Sequence, residues 1–158
     1  MQITSTLSFA APCDRVADML VDPHFAEYIG RKADAQNLTV TGIDNGLTCV
    51  LTTAAPEKVA KFLGAHMTIT WTLTWDSPEA DGSRTGRLTI NVSGIPASMT
   101  GPIRLVPTDT GSSLTLDTDF TVGIPLLGKK IEKMAASHMT SMMSRCEKIG
   151  QQWLDTNN

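Results

Sequence analysis

Few side chains in this 158-residue sequence have types and spacings that could do chemistry, and His138 and Arg145 come first. An imidazole titrates near neutral pH, so His138 could exchange a proton or hydrogen-bond the head group of a ligand. The Arg145 guanidinium could anchor a carboxylate, although such a side chain commonly lays its stem on the core and keeps its head in water. Acid–base catalysis needs a second group converging on the same point. The strand acids Asp76, Asp117 and Asp119 fall on a polar, outward phase, while His24 and His66 precede different elements and have no evident partner. The run from Gly94 to Gly101 around Ser98 lacks the GxSxG spacing of a nucleophile elbow, and no Gly-rich phosphate loop is present. Cys13, Cys49 and Cys146 are far apart and form no CxxC or metal-ligand pattern. Cys49 and Cys146 read as small buried apolar residues. Cys13 stands in the first turn of a predicted helix, where a helix N-terminus could lower its pKa. No catalytic residue, metal site or cofactor is assigned on these grounds.

His138 and Arg145 sit on one long amphipathic segment. From Ile124 to Leu154 nothing breaks a helix, and Leu127, Ile131, Ala135, His138, Met142, Ile149 and Trp153 share one arc at ~100° per residue. Glu132, Lys133, Ser137, Thr140, Ser144, Glu147 and Lys148 are expected to point away. Arg145 falls at the rim of the apolar arc.

The rest of the chain is strand-like. Gln2–Phe9 alternates Ile3, Ser5, Leu7 and Phe9 and predicts a strand. Pro12 and Asp14 then open a short helix bearing Val16, Met19 and Leu20, which Asp22-Pro23 ends. A second short helix, His24 to Lys32, follows. Leu38–Ile43 and Leu47–Thr53 flank Asp44-Asn45-Gly46, a turn in which Asn and Gly accept positive φ. Pro56–Gly64 predicts a connector. His66–Asp76 alternates most cleanly, with Met67, Ile69, Trp71, Leu73 and Trp75 against a row of threonines. Thr85–Ser93, Pro96–Val106 and Ser113–Val122 complete six consecutive strands. Tight turns make such strands antiparallel neighbours, and a polar face on each means that one side of the sheet meets water. Only the last helix is long enough to cover the other side. The expected fold class is α+β: a curved antiparallel seven-stranded sheet (strand, two short helices, six strands) wrapped around a long C-terminal helix, in a single domain spanning 1–158.

Composition excludes several functions. Net charge is −3, from 13 basic and 16 acidic residues, and no basic stripe clusters the charge that nucleic acid demands. No apolar run approaches the ~20 residues of a membrane span, so no integral membrane association is expected. The N-terminus alternates rather than forming a signal-peptide apolar core, and the cysteine usage suits a reducing compartment. A cytoplasmic protein is predicted, as a monomer or weak dimer. No charged or apolar docking patch stands out.

Several stretches carry a family likeness: Phe9-x-x-Pro12-x-x-x-Val16-x-x-Met19-Leu20-x-Asp22-Pro23-x-Phe25, the Trp71/Trp75 strand, Gly94-Ile95-Pro96, Ile124-Pro125-Leu126-x-Gly128-x-Lys130-Ile131-Glu132, and Trp153-Leu154. With the element order, they resemble the START-like (SRPBCC, helix-grip, Bet v 1-like) superfamily, and within it an actinobacterial family, domain of unknown function 2505. The resemblance implies an apolar cavity between sheet and helix and transfers no catalytic residue. Flexible methionines suit a pocket that accepts variously shaped ligands, and with 5% aromatic residues few rings are available to plug the space. Such pockets run ~300–1,000 Å³. The expected ligand-binding set is Met67, Trp71, Met99, Ile131, Met134, His138, Met142 and Arg145, gated by Asp22–Ile29. The expected partner is a hydrophobic small molecule such as a lipid, isoprenoid or polyketide. A polyketide cyclase- or dehydratase-like enzyme using the same cavity is the alternative, and a protein-binding module a second.

Overall fold

The computed structural model describes residues 1–157, apart from the side chains of Lys58 and Val59; Asn158, the last residue of the expected domain, lies outside the described residues. Strand β1 (Gln2–Phe9) leads into helices α1 (Cys13–Leu20) and α2 (Pro23–Lys32). Then come β2 (Gln36–Ile43), β3 (Gly46–Ala54), a short helix α3 (Glu57–Leu63), β4 (His66–Trp75), β5 (Arg84–Val92), β6 (Ala97–Thr108), β7 (Gly111–Val122) and helix α4 (Gly128–Thr156). The seven strands form one antiparallel sheet in the order β1-β7-β6-β5-β4-β3-β2. It is an open helix-grip arrangement, and its hairpins follow local chemistry. Asn45 takes φ +56° at the β2–β3 turn, a left-handed conformation that Asn tolerates. Thr48 with Thr72, Thr52 with Thr68 and Thr89 with Thr100 pair their hydroxyls across strands at 3.1 Å on the outer face.

The inner face meets the helices. Leu7, Phe9, Val16, Ile103, Leu105, Leu114 and Leu154 are buried in one cluster with Ile131 of α4. Each fully buried aliphatic side chain contributes about 1.5–3 kcal/mol. Trp75 donates its indole N–H to the Ala17 carbonyl at 3.2 Å, pinning α1 to β4. Gly150 is buried where a Cβ would come within 2.8 Å of Phe9 and 3.3 Å of Met19, so α4 lies close against β1 and α1 there.

Three expectations about the last helix are corrected. It begins at Gly128, not Ile124, because Pro125 disfavours helical backbone at the residue before it and Leu126 takes φ +68°. Its inward arc is turned toward Ala135, Met139, Cys146, Ile149, Gly150, Trp153 and Leu154, leaving His138, Met142 and Leu127 exposed. Glu132 and Glu147 do not point away. Glu132 is only 4% exposed and accepts the Val122 N–H at 3.0 Å, while Glu147 accepts the Ser8 N–H at 2.8 Å. Glu132 thereby satisfies a buried strand-end donor, while Glu147 takes a solvent-exposed one on the edge strand. The connector between β3 and β4 folds into α3, which Gly64 closes at φ +85°.

Candidate ligand cavity

A cavity of about 130 Å³ lies between the inner face of β4–β7 and the N-terminal half of α4. The sheet contributes Met67 and Ile69 from β4, Ile90 and Val92 from β5, Met99 from β6, and Phe120 and Val122 from β7. Helix α4 contributes Ile131, Ala135, His138, Met139 and Met142, and Pro56, Leu63 and Ile95 close one end. His138 and Met142 are both exposed and part of the wall, so the cavity opens to solvent beside them. Ser98 also borders it, but its hydroxyl bonds Thr121 at 3.2 Å on the outer side of the sheet. Among the described residues His138 is therefore the one titratable group in the wall, and it makes no hydrogen bond to any of them. It can donate to or accept from a ligand atom without first giving up a protein partner.

Five of the eight residues expected from sequence meet here: Met67, Met99, Ile131, His138 and Met142. Three do not. Trp71 lies further along β4 and packs with Ala26, Leu47, Cys49 and Val40 beneath α2. Met134 is half-buried and sits ~60° from Ile131 around the helix, beyond the edge of the cavity wall. Arg145 is exposed and donates to the Lys32 carbonyl at 3.4 Å, where a cation suits the C-terminal end of α2. Alternation on β5 and β7 already placed Ile90, Val92, Phe120 and Val122 in the correct phase. Met139 carried no such signal.

Two further expectations are corrected. At about 130 Å³ the cavity is far smaller than a drug-sized pocket. Helix α2 does not gate it. Phe25 and Tyr28 instead pack at a tilt against Trp153, with ring centroids 5.5 Å apart in each pair and the planes 57° and 51° apart. At 1.5 Å per residue, Trp153 lies about 22 Å along the helix from His138. The residues at the mouth, His138 and Met142, come from α4 itself.

The surroundings of all three thiols favour the protonated form. Burial pushes Cys49 up to about 11 and raises Cys146 as well. Cys13 is raised rather than lowered, first by burial and then by Asp14 and Asp81, which outweigh the start of α1. A second concavity of about 400 Å³ is a groove at the opposite end of the sheet, bordered by Val21, Asn45, Trp75, Asp76 and Arg84. It shares no residue with the apolar cavity, and its walls are mainly turn segments. Asp76 there is already engaged by the Thr85 hydroxyl at 3.0 Å. Among the described residues, no three His, Cys, Asp or Glu side chains converge as a metal site would require.

Solved structures share this architecture. A protein from Rhodobacter sphaeroides superposes with a TM-score of 0.68 at 15% identity, over 99% of this chain and 93% of that one. A STAR-related lipid transfer protein fragment from Xanthomonas axonopodis gives 0.56 at 18% identity, over 82% and 76%. A norcoclaurine synthase point mutant from Thalictrum, in complex with a transition-state analogue, gives 0.62 at 16% identity, over 100% and 96%. At these identities the likeness establishes the START-like, helix-grip fold and nothing of the chemistry. A search of curated proteins finds no match to the sequence. The sequence profile of one family does match, over residues 4–154. By that near-complete match, and by a fold in keeping with it, the chain belongs to the protein family of unknown function DUF2505.

Proposed function

We propose that this protein binds and carries a hydrophobic small molecule, of lipid, isoprenoid or polyketide type, in the cavity under α4. The observation that carries the reading is an apolar chamber with a single polar side chain, His138, at its open edge. Methionines 67, 99, 139 and 142 make up much of the movable wall. Size sets the terms. An apolar cavity near 150 Å³ takes a benzene-sized ring. Burying about six carbons at ~0.8 kcal/mol each gives roughly 5 kcal/mol, which corresponds to sub-millimolar affinity. Micromolar binding of a longer chain thus requires the methionines to change rotamer and the chamber to widen. The cyclase- or dehydratase-like alternative would need a second polar group beside His138, and among the described residues the wall supplies no other titratable one. Three free, widely separated cysteines suit the cytoplasm, where the proposal places the carrier.

Native mass spectrometry of the purified protein, with titration of a fluorescent fatty acid, tests the reading. A copurified apolar ligand or micromolar binding is expected, and Ala135→Leu or Ala135→Phe should remove it by filling the chamber. No ligand, together with no binding, sinks the carrier.

A further inference from the structure

Leu126 is wholly exposed (103% of its reference area), the most exposed large apolar side chain among the described residues. Its backbone adopts φ +68°, a left-handed conformation that leucine rarely enters. Beside it Leu127 is 39% exposed. The Leu126 side chain gains no burial, although its backbone sits in a turn closed by the Leu127 and Gly128 N–H groups on the Ile124 carbonyl at 3.3 and 2.8 Å. The β7–α4 connector that bears it is tied to the β5–β6 turn by the Gly123 N–H, which donates to the Pro96 carbonyl at 2.8 Å. The pair therefore projects from the end of the molecule where Ile95 and Leu63 close the cavity.

Charge at this end is positive. Lys129 (side chain 90% exposed), Lys130 and Lys133 occupy the first turns of α4, and Lys61 lies on α3. Of the nearby acids, Glu132 is buried with Lys129 3.6 Å away, Asp119 is exposed beside the Met1 ammonium at 3.3 Å, and Glu57 is exposed on α3. The start of a 29-residue helix adds partial positive charge. Exposed Asp44, Glu79, Asp81 and Asp109 sit in the turns at the opposite end, so a chain of net charge −3 carries a basic pole.

We propose that this pole docks reversibly on an anionic bilayer surface, with Leu126 inserted among the acyl chains and Lys129, Lys130 and Lys133 against the head groups. A bilayer fits better than a second copy. Two basic poles brought face to face across a two-fold axis would repel, and one protruding leucine with a half-exposed neighbour is far from the ~1,000 Å² that a specific interface buries. Membrane docking needs only shallow insertion plus lysines near the surface. The inference goes beyond the carrier reading and does not depend on it.

The test is flotation of the full chain with phosphatidylcholine vesicles, with and without phosphatidylglycerol. Binding is expected to require the anionic lipid and to fall as salt rises. Leu126→Asp should reduce partitioning tenfold or more, and Lys130→Gln with Lys133→Gln about 25-fold, near fivefold per lysine. All three side chains are exposed, so the variants should keep the parent Tm. The assignment falls if anionic vesicles are not bound, if plain phosphatidylcholine binds equally, or if Leu126→Asp binds like the parent. A concentration-dependent dimer that Leu126→Asp abolishes, without vesicle binding, would also overturn it and make the patch a self-association surface. Fatty-acid titration of the same variants separates the two readings, because Leu126 is not part of the cavity wall.

Discussion

The Glu132 carboxylate accepts the backbone N–H of Val122 at 3.0 Å, joining the second turn of α4 to the last residue of β7. Ile131 and Val122, the residues that flank this bond, both line the cavity, so the bond fixes how far the helix stands from the sheet. Lys129 lies 3.6 Å and the Met1 ammonium 3.9 Å from the other carboxylate oxygen. The Val122 N–H first, then these cations, hold the Glu132 carboxyl below the ordinary value of 4.5. A pKa lowered by folding stabilises the fold fully above about pH 4.5, and that contribution is lost as the pH falls through the lower, folded value. Glu132→Gln keeps an acceptor for Val122 but has no charge. Its Tm should lie below the parent's at neutral pH, and the gap should close in acid. A constant gap across a Tm–pH series would mean that the carboxylate's charge contributes nothing.

Gly128 sets the same spacing through its missing side chain. A Cβ at this buried first residue of α4 would collide with the Val122 carbonyl, a backbone atom that cannot rotate away. Helix propensity alone favours alanine over glycine by about 1 kcal/mol. Overpacking typically costs about 1–3 kcal/mol and should win here. Gly128→Ala is expected to lower stability in a denaturant titration by roughly 1–2 kcal/mol. A more stable variant would show that β7 and α4 can separate freely.

Met99 tests whether the chamber can be enlarged from within. Its side chain is 4% exposed and forms part of the wall. Met99→Ala should cost about 2–5 kcal/mol, since a well-packed site collapses only in part. The same change should tighten binding of a bulkier apolar probe relative to a small one. Loss of stability with no change in that preference would mean that the space closes on mutation.

The strands were legible because a half-buried strand writes its two faces directly into the residue order, as Met67, Ile69, Trp71, Leu73 and Trp75 do against their threonines. Helix α4 was harder. Its inward arc is marked by Gly150, Cys146, Ala135 and Met139, small or soft residues that weigh little in a hydrophobic pattern, while the exposed Leu127 and Met142 weigh heavily. The arc inferred from helical spacing was therefore rotated, and it drew His138 inward and sent Glu132 out. Arg145 and Trp71 were misplaced for a second reason. Each meets a residue of α2, Lys32 for Arg145 and Ala26 for Trp71, and nothing in the spacing of α4 or β4 says where that short helix will lie. Leu126 was counted as helix, and its exposure followed only once Pro125 had displaced the helix start.

Trp153 provides the last test, because it separates holding α4 from gating the cavity. Phe25 and Tyr28 of α2 pack on Trp153 at the end of α4 remote from His138. Such aromatic pairs couple by about 0.5–1.5 kcal/mol beyond their burial. A double-mutant cycle with Phe25→Leu and Trp153→Leu should return a coupling in that range. Fatty-acid affinity and association rate should stay near the parent's in every corner of the cycle, since neither residue touches the wall. If loosening this contact speeds ligand entry instead, α2 governs access and the mouth beside His138 and Met142 is not the route.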